Sequence, residues 1–374
     1  MKLEAVELYR FDLAFRRPVG TASGTHRRRP VGFLRLVTDA AEGWGECPAI
    51  EGGTAVDTGF GPVWSAIAGP GAARLRAAAG ALDGVLPPAV QVGALFGGAG
   101  DPPVAATVEM AVLDAELRAQ GEPLWRRLGV DPEVAGAGVP AGSLVGIPPD
   151  RSLDALVAAV ADASAGSARV RLKIEPGWDL EPVRAVRSAF PALALQVDAN
   201  GSYRLESDGP DDVSRLAGLD GAGLTCIEQP LPPGDLPALA AAAAMLETPV
   251  CLDESLTSLR RLRAALRSGA CEVACIKPSR FGGLLGARRA QHECAQAGVP
   301  AFVGGFFETG FARLAHAALA GLPGFSLPGD VSDPAGYLVG DPAPYQVEGG
   351  RVWLPDEAGI APAPRLAGPA RCRA

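Results

Sequence analysis

The sequence predicts an α/β protein, a modified (β/α)7-8 TIM-type barrel with an α+β capping domain. Two observations predict this fold: short apolar runs alternate regularly with helical segments after residue 139, and five of those runs end in an ionisable residue. The chain of 374 residues is too long for one ordinary core. It fits a barrel of roughly 200 residues plus a second domain.

The ionisable residues that end five apolar runs are evenly spaced. They are Lys173, Asp198, Glu228, Asp253 and Lys277, and the steps between them are 25, 30, 25 and 24 residues. Such a step matches one strand, one crossover helix and two short loops. In a closed barrel the C-terminal ends of the strands share the face where catalytic residues lie. We therefore expect all five side chains to face one pocket.

Lysine is rare in this chain. Only three of the 34 basic residues are lysines, namely Lys2, Lys173 and Lys277. Arginine replaces lysine well on a solvated surface, but it cannot give up its proton near neutral pH, whereas a desolvated lysine can. Two lysines kept at predicted strand ends therefore indicate chemistry that arginine cannot perform.

Residues 1–130 are predicted to form the capping domain. Residues 2–12 and 31–38 alternate as strands do, and residues 105–120 carry the periodicity of a helix. The Gly/Ser/Arg-rich stretch 17–30 between the two strands is interpreted as a loop. A mobile lid and an ordinary hairpin connection are equal alternatives for it.

Residues 131–328 are predicted to form the barrel, and residues 329–374 to pack back on the capping domain. The predicted strands are 139–147, 169–174, 193–198, 224–228, 250–253, 273–277 and 301–305, with a weaker signal for an eighth at 325–328. The predicted helices between them are 151–165, 181–190, 211–218, 235–246, 257–268 and 284–297.

Composition limits the classes of function. The formal charge of −8 argues against a nucleic-acid or anionic-membrane surface. No basic-then-apolar leader opens the chain and no apolar run could span a bilayer, so a cytoplasmic enzyme of small molecules is expected. The seven scattered cysteines fit reduced thiols. Cys271 and Cys275 have no second pair or histidine at zinc spacing, and we interpret them as small buried apolar residues.

Three carboxylates on neighbouring strand ends require a cation, because close like charges would raise their pKa values. Asp198, Glu228 and Asp253 are therefore candidate ligands of Mg²⁺, for which Mn²⁺ or another divalent cation could substitute. Each carboxylate alone could equally be a helix cap or a salt-bridge partner. A lysine on either side of such a site could remove a proton from the carbon next to a substrate carboxylate. To act as this base, the lysine needs a pKa lowered to roughly 7–8.

Several ordered motifs resemble those of the enolase superfamily, its muconate-lactonising subgroup, and within it the o-succinylbenzoate synthase / N-acylamino acid racemase family. The resemblance covers nearly the whole chain and is strongest from 170 to 330. The motifs lie at residues 172–179, 197–200, 227–231, 251–255, 276–283, 304–310 and 327–330.

The resemblance implies roles for these residues. Lys173 matches the second lysine of the family's Lys-x-Lys motif, the general base, and Lys277 matches the lysine of the sixth strand. Asp198, Glu228 and Asp253 match the metal ligands. In the synthase reaction one lysine removes the α-proton of a cyclohexadiene carboxylate and returns it to the departing hydroxyl, giving o-succinylbenzoate for menaquinone synthesis. In the racemase reaction both lysines exchange protons with an N-acylamino acid.

This chain departs from the family pattern at several positions. Arg171 replaces the first lysine of the Lys-x-Lys motif, and Phe306 and Phe307 replace smaller aliphatic residues after Gly305. Arg280 resembles an arginine of the branch that includes racemases. The motifs also place Asn200 and Glu254 beside the ligands, as binding or supporting residues, and a turn-forming asparagine is an equal alternative for Asn200.

The sequence thus predicts syn dehydration of 2-succinyl-6-hydroxy-2,4-cyclohexadiene-1-carboxylate as the leading reaction, with N-succinylamino acid racemisation close behind. Another muconate-cycloisomerase-like reaction is more distant. A Schiff-base aldolase that uses Lys173 or Lys277 and a non-catalytic binding barrel are the rivals from other classes. The resemblance implies a homo-oligomer, and no role is assigned to His26.

Overall fold

The computed structural model describes residues 1–21, 24–96, 102–204, 211–366 and 372–373. The chain begins with an antiparallel sheet made of β1 (Leu3–Thr21), β2 (Gly24–Thr38) and β3 (Glu42–Glu46). A two-residue strand near the end of the described chain pairs with β1 on the side away from β2. The first and last described segments therefore share one sheet.

The stretch 17–30 is not the loop that its composition predicted. Strands β1 and β2 continue through it as a hairpin, with Val19 paired with His26, and residues 22–23 alone lie outside the described part of this hairpin. Residues 19–21 pair with residues 24–26, so the ladder accommodates this part whatever the side chains are, and a register shift separates Ala14 from Val19. A polar, glycine-containing sequence therefore adopted a strand that residue preference did not indicate.

The hairpin reaches the barrel. The Ile147 N–H donates to the Gly20 carbonyl at 3.3 Å, just after a barrel strand. Phe15 packs edge-on against Phe307, with ring centroids 5.2 Å apart. The hairpin thus lies against the C-terminal ends of the barrel strands, where the candidate site is found.

Short helices complete the capping segment, and a five-residue π-helix, Ile67–Gly71, separates the first two. The α-helices are α1 (Phe60–Ala66), α2 (Ala72–Gly80), α3 (Ala89–Phe96), α4 (Pro102–Gln120), α5 (Leu124–Leu128) and α6 (Pro132–Ala137).

Helix α4 packs directly on β3. A Cβ atom at Gly43 would lie 2.1 Å from the Ala111 carbonyl oxygen, and one at Gly45 would lie 2.1 Å from the Thr107 carbonyl oxygen. The two glycines therefore allow the helix backbone to touch the strand backbone. Most of α4 is buried between this sheet and the barrel.

Seven parallel strands, in chain order, form the barrel sheet. They are β5 (Gly142–Val145), β6 (Arg169–Lys173), β7 (Leu195–Asp198), β8 (Ile227–Glu228), β9 (Val250–Leu252), β10 (Val273–Ile276) and β11 (Ala301–Val303), and they follow the two-residue strand β4 (Val139–Pro140). The helices outside them are α7 (Leu153–Ser164), α8 (Leu180–Ala189), α9 (Asp211–Gly218), α10 (Leu236–Met245), α11 (Leu259–Ser268), α12 (Leu284–Gln296) and α13 (Gly310–Ala320). The predicted fold class, a barrel with a separate α+β cap, is confirmed.

The predicted first barrel strand, 139–147, is two strands. Only β5 belongs to the barrel, whereas β4 pairs with β13 (Arg351–Val352), which in turn pairs with β12 (Val347–Glu348). Pro140 lacks an N–H, so the chain changes partners there at little cost in hydrogen bonds. The two-residue strand that pairs with β1, Cys372–Arg373, is β14.

The predicted eighth strand at 325–328 is not a strand. Single parallel bridges join Phe325 to Ala301 and Gly329 to Ala141, and the Asp330 N–H donates to the Val303 carbonyl at 2.7 Å. Pro328 cannot donate a ladder bond, which explains the interruption. The segment still connects the two ends of the seven-stranded sheet.

Later residues pack on the capping helices. The Ile360 N–H donates to Asp114 Oδ1 of α4 at 2.7 Å, and Arg118 of the same helix donates to the Ala361 carbonyl at 2.6 Å. Within the residues described, no helix is both long and apolar enough to cross a bilayer.

Candidate active site

Strand register places the expected site residues side by side. Lys173 at the end of β6 is paired with Asp198 of β7, and Asp198 with Glu228 of β8. Asp253 and Lys277 each follow the last residue of β9 and β10. All five side chains are buried. The sheet therefore brings the two lysines and three carboxylates to one edge.

Each lysine is bound to a different carboxylate. Lys173 Nζ donates to Asp198 Oδ2 at 2.6 Å and to Asn200 Oδ1 at 2.7 Å. Lys277 Nζ donates to Asp253 Oδ2 at 2.7 Å. Because the β6–β7 pair and the β9–β10 pair flank β8, the two amines lie on either side of Glu228.

The pKa of Lys277 differs from the sequence-based expectation. Burial is the largest influence and acts to lower it, but the charges of Asp253, Cys275 and Glu254 together hold the pKa of Lys277 above its ordinary value. Burial likewise acts to raise the pKa of Asp253, and the charges of Arg280 and Lys277 bring it below its ordinary value. Lys277 can act as a base only when a cation in addition to Arg280 neutralises Asp253.

Glu228 lies between the lysines in a crowded electrostatic environment. Arg171 Nη1 donates to both of its carboxylate oxygens, at 2.9 and 2.8 Å. Burial, followed by the charges of Asp198 and Asp253, raises the pKa of Glu228 to about 8 against the opposing effect of Arg171. The guanidinium that replaced the first lysine of the motif therefore binds a candidate metal ligand directly.

The acidic cluster fits a divalent cation. One ligand atom each of Glu228, Asp253 and Cys275 lies within 4.8 Å of the others. The carboxylate of Asp198 instead faces Lys173 and the Asn200 N–H. Asp198, the third predicted ligand, is thus held by Lys173 and is not one of the three clustered residues.

The surroundings of Glu254 also bear on whether the site suits a divalent cation. In the described part of the chain its buried Oε2 has no hydrogen-bond partner, while Oε1 accepts from Asn200 Nδ2 at 2.9 Å. Burial and then the charges of Asp253 and Asp198 raise the pKa of Glu254. Closely spaced carboxyl oxygens, one of them unpartnered, are the donor set that a hard cation such as Mg²⁺ prefers.

Arg280 joins the site to the capping domain. Its Nη1 donates to Asp253 Oδ1 at 2.8 Å, and its Nε and Nη2 each donate to an oxygen of Asp57 at 2.8 Å. Lys277 Nζ lies 4.2 Å from the centroid of the Phe306 ring, a cation–π contact. Sequence reasoning missed Asp57, since no motif surrounds it and its partner is 223 residues away.

Gly305 and Phe307 lie where the barrel meets the capping hairpin. A Cβ atom at Gly305 would lie 2.6 Å from Glu308 Oε2, so this position admits no side chain without rearrangement. Phe307 has a φ of 60°, and its carbonyl accepts from Arg29 Nε at 3.1 Å. Phe307 therefore packs the hairpin against the barrel, a role that its sequence position did not reveal.

His26, which was given no role, faces the site from the hairpin. It is partly buried, and burial followed by the positive charge of Lys173 lowers its pKa. A small recess lies between the cap and the barrel beside Phe306. Residues 48–50 and 57–58 line it from the cap, and Ser279 and Phe306 line it from the barrel. The capping domain thus shapes the space beside the lysines.

A parallel barrel under a separate antiparallel domain, with acidic and lysine side chains at its strand ends, defines the class of capped barrel enzymes. Residues 155–365 match the family model described as enolase C-terminal domain-like, which is more than half of the chain. The chain belongs to the enolase superfamily. The recognition made from its motifs is confirmed.

Relatives with two different named activities are similar to this chain. An N-succinylamino acid racemase of Amycolatopsis sp is 40% identical over 98% of this chain and 96% of its own length. An o-succinylbenzoate synthase of Geobacillus kaustophilus is 39% identical, over 68% of this chain and 66% of its own length. A probable mandelate racemase structure from Alicyclobacillus acidocaldarius has a TM-score of 0.83 and 35% identity, covering 97% of this chain and 95% of that chain.

Proposed function

We propose that this enzyme removes the α-proton of a small-molecule carboxylate at a Mg²⁺ site and that it racemises N-succinylamino acids. The observation that carries the proposal is the pair of buried lysines on either side of Glu228, each hydrogen-bonded to its own strand-end carboxylate. Racemisation needs a proton acceptor on one face of the α-carbon and a proton donor on the other. Two amines on opposite sides of Glu228 meet that requirement.

Asp198, Glu228 and Asp253 would hold the cation, and Mn²⁺ or another divalent ion could take its place. The bound ion supplies positive charge that makes the α-proton of a carboxylate more acidic. Asp253 and Asp198 would then share their negative charge with the ion, which weakens their hold on the two ammonium groups. The residues that bind the ion are therefore the residues that set the basicity of the lysines.

The lysines carry the proton transfers. The lysine that is neutral at the start takes the α-proton, and the protonated lysine on the opposite face returns a proton to the same carbon. The roles exchange when the other enantiomer binds. Arg280 and Phe306 keep Lys277 in position from one side. Asn200 does the same for Lys173.

The capping domain supports racemisation ahead of dehydration. The relative named as a racemase aligns with 98% of this chain. Because Asp57 and His26 both belong to the cap and both face the site, similarity that includes the cap bears on substrate choice. Arg280 also resembles the arginine of the branch that contains racemases.

Syn dehydration to o-succinylbenzoate, the leading reaction in the sequence analysis, is the second candidate. In that reaction one lysine removes the proton and returns it to the departing hydroxyl, while the other remains a cation. Lys277 suits the cationic role, since Asp253 and the Phe306 ring both stabilise its charge. Relatives named as synthases are up to 39% identical.

One experiment distinguishes the candidates. Each enantiomer of N-succinylphenylalanine is incubated with the Mg²⁺-loaded enzyme in D2O, and optical rotation and the NMR signal of the α-proton are followed. Racemisation with deuterium entry from both enantiomers is the expected result. In parallel, ultraviolet absorbance follows the cyclohexadiene carboxylate.

Consumption of the cyclohexadiene alone would assign the enzyme to dehydration. Activity on neither substrate would reject both reactions. Covalent trapping of a substrate on a lysine by borohydride would favour the Schiff-base mechanism instead.

A further inference from the structure

A layer of cysteines lies directly below the strand-end residues of the site. Alternate residues of a strand point to the same side, so the residue two positions before each site residue also faces the barrel interior. At β8, β9 and β10 the residues two positions before Glu228, Asp253 and Lys277 are all cysteines. These are Cys226, Cys251 and Cys275, and all three are buried.

Cys275 is the thiol that reaches the acidic cluster. Its Sγ and one carboxylate oxygen each of Glu228 and Asp253 lie within 4.8 Å of one another. Gly304 on the neighbouring strand end makes room for it, because a Cβ atom there would lie 2.4 Å from Cys275 Sγ. Across the described residues no hydrogen bond ends on this sulfur, which leaves it available as a ligand.

A second observation, beside this cluster rather than within it, indicates that the region takes a cation. The Oε2 atom of Glu254, next to Asp253 in the chain, is buried and finds no partner among the described residues. Glu254 is only 6% exposed. An unpartnered carboxylate oxygen at this depth is costly unless a cation accompanies it. The place therefore offers carboxylate oxygens together with one sulfur.

Ligand type determines which cation such a place prefers. Carboxylate oxygens alone suit Mg²⁺, whereas a thiolate selects softer ions such as Zn²⁺. Thiolate and carboxylate ligands bind Zn²⁺ together in four-coordinate sites with bonds of about 2.0–2.3 Å. A site in which Cys275 lies beside the carboxylates of Glu228 and Asp253 should therefore prefer softer cations than a site made of oxygen ligands alone.

We propose that Glu228, Asp253 and Cys275 form a mixed oxygen and sulfur site that binds a thiophilic divalent cation, Zn²⁺ or Cd²⁺. The thiol releases its proton to solvent when the metal–sulfur bond forms. The thiophilic ion occupies two of the carboxylates assigned to Mg²⁺ and so competes with it. The competition rests on the proposed function, whereas binding of Cd²⁺ itself does not.

The test uses Cd²⁺ as the probe and the full chain stripped of metal by a chelator. Equilibrium dialysis measures stoichiometry and affinity, and ultraviolet absorbance detects the charge-transfer band of a cadmium–thiolate bond. One bound equivalent with the band is expected for the wild type. Cys275→Ser should lose the band and bind Cd²⁺ at least about tenfold more weakly, since even supporting groups of a metal site are worth that much.

Cys294→Ser is the matched control, because Cys294 is equally buried but lies on α12 outside the barrel sheet. It should keep the band and the affinity. A band that persists in Cys275→Ser, or that disappears in Cys226→Ser or Cys251→Ser while Cys275→Ser retains it, overturns the proposal. Cadmium NMR of the wild type provides a readout that needs no variant, and a shift typical of all-oxygen ligation would also overturn it.

Displacement of bound Cd²⁺ by excess Mg²⁺ tests the shared carboxylates. Loss of the band on displacement is expected. A band that resists any concentration of Mg²⁺ would contradict the magnesium site of the proposed function. The sulfur ligand would stand in that case, so the two failures are distinguishable.

Discussion

At the residue scale, the site keeps each reactive amine in an ion pair. Lys173 and Asp198 lie 2.6 Å apart, as Lys277 and Asp253 do at 2.7 Å, and all four side chains are at most 8% exposed. Pairs buried to this degree are costly to break from one side only. The use of either amine as a base therefore depends on what else its carboxylate partner binds.

Replacing either site lysine should stop racemisation but not every proton exchange. In Lys173→Ala and Lys277→Ala we expect turnover to fall by at least roughly 10²–10⁴-fold, the usual contribution of a positioned acid or base. Each variant should still exchange the α-proton of one enantiomer, which the remaining lysine faces. NMR in D2O measures both. Lys2→Ala replaces the third lysine as the control, and retained racemisation in a site variant would exclude that lysine from the mechanism.

In the metal-free protein, Arg171 should supply the positive charge that stabilises Glu228. Arg171→Met leaves Glu228 and Asp330 without the guanidinium that bridges them, a loss of roughly 3–5 kcal/mol for a buried pair. We expect Arg171→Met to lose this stability when a chelator removes metal ions. Excess Mg²⁺ should restore much of it, because the ion would neutralise Glu228. Urea unfolding measures both conditions, with Arg171→Lys as the charge-retaining control. If Mg²⁺ raised the free energy of unfolding by the same amount in the variant and in the wild type, this role of Arg171 would be contradicted.

The residues that carry a motif could be predicted from the sequence, and those that act through the fold could not. The rarity of lysine and the spacing of strand ends identified Lys173 and Lys277 as candidates, and the structure places both at one edge. Asp57 carries no local pattern, and the place of Cys275 two residues before Lys277 indicates only the strand face that the two share. Their positions depend on how the cap docks and on which side of β10 faces inward.

At the element scale, the N-terminus of α12 is held by a carboxylate from the capping domain. Glu109 of α4 accepts from the backbone N–H groups of Leu284 and Leu285 at 2.6 and 3.3 Å. Gly283 leaves the space that this contact needs, since a Cβ atom there would lie 2.3 Å from the Glu109 carboxyl group. A carboxylate at the start of a helix also interacts favourably with the helix dipole.

Glu109 should make stability depend on pH. Burial raises its pKa from 4.5 to about 8, against the effect of its two backbone donors. The folded state therefore binds this proton more tightly than the unfolded state, and the free energy of unfolding should decrease as pH rises from 4.5 to about 8. Glu109→Gln retains an acceptor oxygen and should lose this decrease.

Thermal unfolding of wild type and Glu109→Gln across that pH range measures the difference. The wild type should lose stability relative to the variant toward the alkaline end. Glu181→Gln, an exposed position on α8, is the control and should track the wild type. Parallel pH profiles for wild type and Glu109→Gln would show that Glu109 is not the group responsible.

Periodicity predicted the long elements, whereas hydrogen-bond partners decided the rest. Helix α10 runs from Leu236 to Met245 inside the predicted 235–246, where a run of alanines favours a helix. At 17–30 a hairpin connection was one of two alternatives, but the continuation of both strands through this stretch was not predicted, and the split at Pro140 was missed. In both places the choice of partner strand fixes the structure, and a single sequence does not contain that information.

At the scale of the whole molecule, charged contacts join the cap to the barrel beside the recess. Asp57 and Arg280 form a two-bond pair, with side chains 13% and 3% exposed. Glu46 at the end of β3 accepts from the Thr309 hydroxyl at 2.6 Å and its N–H at 3.0 Å. Cap position and site geometry are therefore mechanically linked.

Removing the Asp57 charge should weaken this link. Asp57→Asn leaves Arg280 partly uncompensated, and we expect a loss of stability of up to roughly 3–5 kcal/mol together with a higher KM, because the recess is less firmly closed. The double variant Asp57→Asn, Arg280→Met should lose less than the sum of the single variants. Urea unfolding and steady-state kinetics provide the two readouts. Asp12→Asn, an exposed change elsewhere in the cap, is the control, and strict additivity would argue against the pair.

The segment that replaces an eighth strand gives the barrel a seam. Between β11 and β5 the chain is joined by isolated bridges at Phe325 and Gly329, whereas the other neighbours share continuous ladders. Amides along this seam should exchange with deuterated solvent before those of β6 and β7 do, since fewer bonds must open together. Local unfolding of the barrel would then begin between β11 and β5, on the side opposite Glu228. The strands that carry the site carboxylates would stay paired while this side opens.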